Sequence, residues 1–180
     1  MARVYDDISP ELQAFLERQP MFFVATAPLA GDGHVNVSPK GFDGTFAVLD
    51  PHRVAYLDLT GSGIETIAHL RENARITVMF CAFDGPARIV RLFGRGEVVT
   101  CEQPEFAELA ARFAPLPGAR AVVTIALDRV ADSCGYGVPR MEVVGQRDRL
   151  LSWAENQGAA GLAEYRADRN ATSIDGLPGF

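Results

Sequence analysis

Hydroxyl and amino groups cluster at the ends of two successive strand-like segments of the chain. One segment ends in SPKG (38–41), and the second ends in TGS (60–62) and leads directly into a helix-like segment that contains Thr66. A helix start exposes unpaired N–H groups and the positive end of the helix dipole, which together favour an anion. The sequence therefore predicts a small phosphate-type site, in which these hydroxyls act beside the ammonium group of Lys40.

A purely structural interpretation explains the same residues about equally well. Ser62 and Glu65 have the spacing of a capping box, in which Ser62 only caps the helix, and Thr60 then only ends a strand. Lys40 favours the anion site slightly, since it is the single lysine among 17 basic residues and the others are all arginine. A compact ammonium group suits roles that a planar guanidinium does not.

The other reactive residue types form no recognisable enzyme motif. His34, His52 and His69 are scattered, with no acid or thiol at a diagnostic spacing, and are interpreted as surface or helix-face residues. Cys134 lies in a glycine-rich turn without a basic neighbour at a known spacing, so a buried or half-buried thiol is expected. The GSG at 61–63 matches neither the dinucleotide-binding pattern nor the P-loop pattern.

Composition argues against several classes of protein. The 180 residues carry 17 basic and 23 acidic side chains, a formal charge of −6, and no basic tract, which disfavours nucleic acid and anionic membrane surfaces as partners. No apolar run approaches the roughly 20 residues that cross a bilayer, and the N-terminal segment lacks the features of a signal peptide. The three cysteines are odd in number and far apart, which favours neither a disulfide framework nor a metal site. A cytoplasmic protein is expected.

The elements that must position the anion site are mostly strands. Segments rich in β-branched and aromatic residues, separated by clusters of Gly, Pro and Asp, predict strands at 21–28, 34–41, 46–50, 53–59, 75–83, 88–100 and 119–130. Helical spacing of apolar residues predicts helices from Ser9 to near Pro20, at 61–73, at 104–115 and at 149–168. Gly158 and Gly161 weaken the pattern of the last helix.

Six or seven short strands with few helices indicate a mainly β, α+β fold, which we interpret as a β-barrel with helical decoration. The chain shows no repeat, low-complexity tract or linker. We therefore expect one domain over residues 1–180, with a core at about 20–145 and a C-terminal helical extension at 147–168.

Three segments together resemble the FMN-binding split β-barrel family of the pyridoxamine 5′-phosphate oxidase type. VNVSPKGFDG is similar to the family's strand that ends in Lys-Gly and a loop with an acid. LTGSGIETIAHLRENARITVMF resembles its strand, phosphate-binding turn and helix, and RIVRLFGRGEVV resembles its arginine-bearing strand with a following acid. The three matches occur in the family's order over about residues 20–100, so the chain is identified as a divergent member.

The resemblance implies a six- to seven-stranded antiparallel split β-barrel with flanking helices, and a homodimer that holds FMN in the groove between subunits. It implies that Lys40 points toward the flavin or the substrate and is the one catalytic residue. Thr60, Ser62 and Thr66 would hold the phosphate at the helix start. The full set of implied cofactor-binding residues is Asn36, Val37, Ser38, Lys40, Thr60, Ser62, Thr66, Arg88 and Ile89.

The chain departs from the family oxidase at several of these positions. Val35 stands where that oxidase has an arginine, Glu65-Thr66 replaces its Arg-Lys pair, and Ile89 replaces its glutamine. The C-terminal segment PRMEVVGQRDRL, similar to its closing strand, lacks the tryptophan and the Arg-Leu-His segment that handle a pyridoxal-type substrate. The resemblance therefore favours flavin binding without the vitamin oxidase activity.

The leading hypothesis is an FMN-dependent oxidoreductase that acts on a small organic molecule. One alternative is a deazaflavin-dependent reductase of the same fold. Others are a flavin- or haem-binding protein without turnover and a domain that has lost its cofactor. Haem ranks last, because the scattered histidines supply no convincing axial ligand.

Overall fold

The computed structural model describes residues 3–180 and contains eight strands and four helices. The strands are β1 (Arg3–Tyr5), β2 (Phe22–Thr26), β3 (Asn36–Lys40), β4 (Phe46–Asp50), β5 (Arg53–Leu59), β6 (Arg75–Cys81), β7 (Ile89–Thr100) and β8 (Ala119–Ser133). The helices are α1 (Pro10–Arg18), α2 (Glu65–Asn73), α3 (Phe106–Ala110) and α4 (Arg149–Arg169).

The strands form one antiparallel sheet in the order β3-β2-β6-β7-β8-β5-β4, and β1 adds to β8. The two outer strands, β3 and β4, do not pair with each other, so the sheet stays open in the manner of a split barrel. The mainly β, split-barrel prediction is confirmed. The eighth strand, β1, escaped prediction because three residues are too few to show a periodic pattern.

The interior of the barrel is filled by alternate residues of the strands, as the pleat requires. In β2 the buried residues alternate along the strand, and Phe22 packs with Phe46, Tyr56 and Phe80 at ring-centroid distances of 5.4–5.7 Å. Helix α1 closes one end with Leu12, Phe15 and Leu16 buried. These aromatic and aliphatic contacts make the scaffold on which the loops between strands are carried.

Helix α1 begins and ends as its sequence predicts. The Ser9 hydroxyl accepts a hydrogen bond from the amide of Leu12 at 3.2 Å, and Pro10 occupies the first turn, where its missing N–H costs nothing. The helix ends before Pro20, with Gln19 in an extended conformation.

The later helices differ from their predictions in length and regularity. Helix α3 is a single short turn of five residues, much shorter than the predicted 104–115. Helix α4 is interrupted at Gly158, whose φ of 63° and ψ of −178° are not helical, so the weak pattern there marked a real kink. Residues 139–148 contain no strand or helix, unlike the closing strand that they resemble.

A β-bulge between β5 and β8 affects the site described below. Asp58 is paired with Ala121, but the next residue, Leu59, is paired with Ala119, so Arg120 has no partner opposite it. A bulge bends the strand and redirects the extra side chain.

In the described part of the chain, no helix is long and apolar enough to cross a membrane.

Candidate functional site

A cavity of about 270 Å³ lies where three parts of the sheet meet the start of α2. Its walls come from the end of β3, the loop at 41–45, the end of β5 and the turn at 61–63. Lys40, Thr66 and Arg120 line it together with the apolar side chains of Leu57 and Leu59. The fold therefore brings the two segments that the sequence singled out, 38–41 and 60–66, to one cavity.

A buried carboxylate organises the charged side of this cavity. Asp58 is 1% exposed, and its two oxygens bind two cations from different strands. Oδ1 accepts a hydrogen bond from Lys40 Nζ at 2.6 Å, and Oδ2 accepts one from Arg120 Nε at 2.7 Å. We call Lys40, Asp58 and Arg120 the Asp58 cluster. The cluster carries two positive charges against one negative charge, and Glu65 adds a second carboxylate to the lining of the cavity.

The electrostatic environment keeps Asp58 ionised. Burial alone raises the pKa of this carboxyl group, because it disfavours the charged form. The charges and hydrogen bonds of Lys40 and Arg120 outweigh that effect and lower the pKa to about 2. The cluster therefore holds a fixed negative charge between two cations across the whole neutral range.

Arg120 also fixes the turn at 61–63. Its Nη1 donates to the carbonyl oxygen of Gly61 at 3.3 Å, its Nη2 donates to that of Gly63 at 2.8 Å, and Asn170 Nδ2 donates to Gly61 at 3.0 Å. In a trans peptide unit the N–H points opposite to the C=O. The amides of Ser62 and Ile64 consequently point away from Arg120.

The capping box predicted for α2 is wrong. The helix begins at Glu65, its N-cap residue is Ile64, and no side chain caps it. Ser62 is exposed and lies too far before the helix, because Arg120 and Asn170 hold the turn by the carbonyl groups of Gly61 and Gly63. The first amides of α2 thus lack a side-chain cap, which is the condition that an anion site needs.

A chain of polar contacts fixes the hydroxyl group of Thr66. Asn36 Nδ2 donates to Thr66 Oγ1 at 2.9 Å and to Thr26 Oγ1 at 3.2 Å, and Thr26 Oγ1 lies 3.0 Å from His69 Nδ1. Ser38 Oγ donates to Asn36 Oδ1 at 3.2 Å. Since the amide hydrogens of Asn36 are both used within the chain, Asn36 supports Thr66 and has none left for a ligand.

The remaining predicted site residues lie elsewhere. Val37 is 61% exposed, on the face of β3 opposite to that of Ser38 and Lys40. Thr60 is buried, its amide donates to Gly118 at 2.7 Å, and it does not line the cavity. Arg88 and Ile89 lie at the start of β7 and do not line it either.

The histidines and Cys134 take no part in the cavity. His34 is exposed and its Nδ1 lies 2.6 Å from Asp175, while His69 is buried and burial lowers its pKa. His52 is exposed, so all three lie on the surface or on a helix face as expected. Cys134 is exposed, so the expected burial of this thiol is wrong. The glycine-rich turn carries it past the end of β8, beyond the core.

A second cavity of about 440 Å³ adjoins the first. The two share Pro39, Gly41 and Phe42. The second is also lined by Pro20 and Met21 before β2, by Phe83 and by residues 141–147, where apolar and polar side chains are mixed. The cation and hydroxyl groups are thus next to an apolar surface.

Sequence reasoning missed Asp58, Arg120 and Asn170. Asp58 left one signal, an acid inside the apolar strand RVAYLDL, because a buried carboxylate needs a cationic partner. Arg120 and Asn170 left none, since their partners are 50 or more residues away in sequence.

Comparisons with known proteins agree on the fold family. The family described as pyridoxamine 5′-phosphate oxidase matches residues 8–134. A curated relative from Aspergillus flavus, the pyridoxamine 5′-phosphate oxidase family protein ustO, is 46% identical over 194 residues, which cover 98% of this chain and 77% of that protein.

Solved structures show the same architecture at low sequence identity. HupZ from Group A Streptococcus superposes with a TM-score of 0.54 and 23% identity, covering 70% of this chain and 99% of that chain. DIP1874 from Corynebacterium diphtheriae superposes with a TM-score of 0.50 and 15% identity, covering 74% of this chain and 98% of that chain. Together with the family match and the curated relative, the fold leads to one conclusion: the chain belongs to the pyridoxamine 5′-phosphate oxidase family.

Proposed function

We propose that this protein is an FMN-dependent oxidoreductase that acts on a small organic molecule as a homodimer. One observation carries the proposal: the free donors of Lys40, the hydroxyl group of Thr66 and the turn at 61–63 meet at a single cavity. That is the donor set that a phosphate group requires.

Lys40 is suited to an anion because only part of its hydrogen-bonding capacity is used. An ammonium group has three donors, and Asp58 is the partner found for Lys40. The side chain is 22% exposed and lines the cavity, so the remaining N–H groups are accessible to a ligand. The net positive charge of the Asp58 cluster would attract a phosphate to this wall.

Thr66 is suited to donate a hydrogen bond to the same ligand. Its oxygen accepts from Asn36, so the hydroxyl hydrogen remains for a second partner. The uncapped amides at the start of α2 would add backbone donors beside it. Ser62 is exposed in the same turn but does not line the cavity, so its hydroxyl group could reach a ligand only at the cavity mouth.

The adjoining apolar cavity suits a flavin ring. Its surface beside Phe42, Phe83 and Met141 is of the kind that ring systems prefer in binding sites. When bound, FMN would supply the redox chemistry itself. The part of Lys40 would then be to stabilise negative charge next to the ring.

A homodimer would cover the exposed edge of the sheet. Strand β3 is an outer strand of the sheet. Val37 on this strand is 61% exposed, and Val35 just before it is 71% exposed. Such an apolar edge favours pairing with another chain. Because Ile89 lies outside the cavity of its own chain, we propose that it contacts the flavin of the partner subunit, whereas Arg88 is held by Tyr5 and Asp132.

An absorption spectrum of the purified protein tests the cofactor. Bands at about 370 and 450 nm indicate a flavin, one band at about 420 nm a deazaflavin, and a Soret band haem. We expect the flavin bands, either directly or after addition of FMN. A colourless protein that does not bind added FMN contradicts the proposal.

Two substitutions test the assigned residues separately. Thr66→Val and Lys40→Met should each weaken FMN binding about tenfold or more, because each removes a hydrogen bond to a charged group. Thr77→Val, on β6 and outside the cavity, is the control and should leave binding unchanged. Affinities follow from the quenching of flavin fluorescence. An unchanged affinity in Thr66→Val would show that the phosphate lies elsewhere.

A further inference from the structure

Asp58 connects two walls of the cavity that belong to different strands. Lys40 reaches it from β3 and Arg120 reaches it from the bulge of β8, at 2.6 and 2.7 Å. Both carboxylate oxygens are therefore occupied, and the side chain is almost fully buried.

Arg120 links Asp58 to the backbone of the turn at 61–63. Besides Asp58, its guanidinium group binds the carbonyl oxygens of Gly61 and Gly63 and, at 2.8 Å, Asn170 Oδ1. Four of the five N–H donors of the guanidinium group are bound by the protein, so Arg120 cannot turn to a ligand without breaking these bonds. Its position instead determines the shape of the turn.

We infer that Asp58 is a positioning residue, which holds Lys40 at one wall of the cavity and, through Arg120, holds the turn at 61–63 at the other. The inference depends on the proposed function only for the identity of the ligand. With both walls anchored to one carboxylate, the ammonium group and the amides of the turn keep a constant separation, which preorganises them for a single anion.

Stability alone is a poor explanation for this arrangement. Burying an ion pair rarely stabilises a protein more than apolar residues of similar size would. Lys40 moreover keeps part of its surface at the cavity, whereas a purely structural partner of Asp58 would have its donors satisfied in the interior. Both cations line the cavity, but the Lys40 side chain is 22% exposed and that of Arg120 only 5%.

The single lysine allows a test that needs no flavin. An amine-acylating reagent must reach the nitrogen of Lys40, so the rate at Lys40 reports how firmly the hydrogen bond to Asp58 holds this side chain against the cavity wall. Peptide mass separates this reaction from that of the α-amino group. Asp58→Asn replaces this charge-assisted hydrogen bond by a weaker one and should raise the rate about tenfold. Asp50→Asn, the same change in the exposed Asp50–Arg53 pair, is the matched control and should leave it unchanged.

Arg120→Gln distinguishes positioning from a general structural role. In Arg120→Gln, Asp58 keeps Lys40 as its only cationic partner. The acylation rate of Lys40 should therefore stay equal to that of the wild-type chain or fall. A merely structural role would loosen the cavity in both variants and raise both rates. The inference is overturned if Arg120→Gln raises the rate as Asp58→Asn does, or if folded Asp58→Asn leaves it unchanged. If Asp58→Asn does not fold, the acylation rate of Lys40 in Arg120→Gln decides alone: a rate above that of the wild-type chain overturns the inference, and an equal or lower rate supports it.

Inorganic phosphate, used as the probe, tests the second wall. Phosphate should slow acylation of Lys40 in the wild-type chain and protect it several-fold less in Arg120→Gln, where the turn is released. Equal protection in the two proteins would overturn the part assigned to the turn. Absence of protection in the wild-type chain would contradict the phosphate site of the proposed function, while the rates in the two variants would still decide the role of Asp58.

Discussion

Two clusters of basic and acidic side chains lie at different places in the sheet, and one of them lines the cavity described above. In the Arg88 cluster, formed by Tyr5, Arg88 and Asp132, the hydroxyl of Tyr5 donates to Asp132 at 2.5 Å. Arg88 donates to Tyr5 at 2.8 Å and to Asp132 at 3.2 Å. One positive and one negative charge balance, and these bonds join β1 to β7 and β8.

The Asp58 cluster uses the same residue types with a different balance. It has one cation in excess, its carboxylate is 1% exposed against 17% for Asp132, and both of its cations border the cavity. The comparison teaches that an Arg–Asp contact indicates a binding site only when donors and charge remain after the internal contacts are made.

Stability should separate the two clusters most strongly. Asp58→Ala leaves two cations without their carboxylate and should cost about 3–5 kcal/mol in the free energy of unfolding. Asp132→Ala, in a more exposed cluster, should cost about 1 kcal/mol. Urea unfolding followed by circular dichroism measures both. Equal losses in the free energy of unfolding would mean that the two clusters contribute equally to stability.

Acid should reveal the buried carboxylate next. The pKa of Asp58 is lowered from 3.8 to about 2 in the folded state, so folding favours its ionised form. That stability is present above pH 4 and is lost as the pH falls from about 4 to about 2, by about 2 kcal/mol. Asp58→Asn should remove most of this dependence in urea titrations at each pH. The pKa of Asp132 is also lowered, so Asp132→Asn should remove a smaller part.

Phosphate should distinguish the clusters by their free charge. At a concentration ten times its Kd, phosphate should stabilise the wild-type chain by about 1.4 kcal/mol, a rise of about 3 °C in Tm. Lys40→Met should abolish the rise, and Arg88→Met should retain it, because Arg88 is held by Tyr5 and Asp132. Differential scanning fluorimetry measures the shift. If Arg88→Met also abolished the rise in Tm, the phosphate would bind at the Arg88 cluster and not at the Asp58 cluster.

The two tyrosines should give the smallest difference. Tyr5→Phe removes a hydroxyl group bonded to Asp132 and Arg88 and should cost about 1 kcal/mol. Tyr56 is fully buried, and its hydroxyl group has no partner among residues 3–180. Tyr56→Phe should therefore be neutral or slightly stabilising by thermal unfolding. A clear loss in Tyr56→Phe would indicate a polar partner, such as an ordered water, next to the Asp58 cluster.

Much of the fold could be read from local patterns. Strands β4 and β5 begin and end where the sequence predicts, because each is a short apolar run bounded by Gly, Pro or Asp. Ser9 caps α1 because both the cap and the proline after it are local signals. The same local reasoning failed for Ser62, since its turn is held by Arg120 and Asn170 from the far end of the chain.

Only part of the candidate site could be predicted from the sequence, for the same reason. Lys40 and Thr66 stood out by residue type and by their place at segment ends, and the structure places both at one cavity. Asp58 could have been questioned as an acid in an apolar strand. Arg120 could not, because the one-residue bulge that turns it toward Asp58 leaves no trace in hydrophobic periodicity.

The sequence by itself determined the strand pattern, the mainly β fold and the lone lysine at the end of β3, because these depend on residue type and short-range order. Only the tertiary structure decided which charges meet, since Lys40, Asp58 and Arg120 are 18 and 62 residues apart and come together through sheet register and a bulge. A buried charge is tolerated only where a partner arrives at hydrogen-bonding distance. Only the tertiary structure meets that condition, and in doing so it places two cations at one cavity of an otherwise acidic chain.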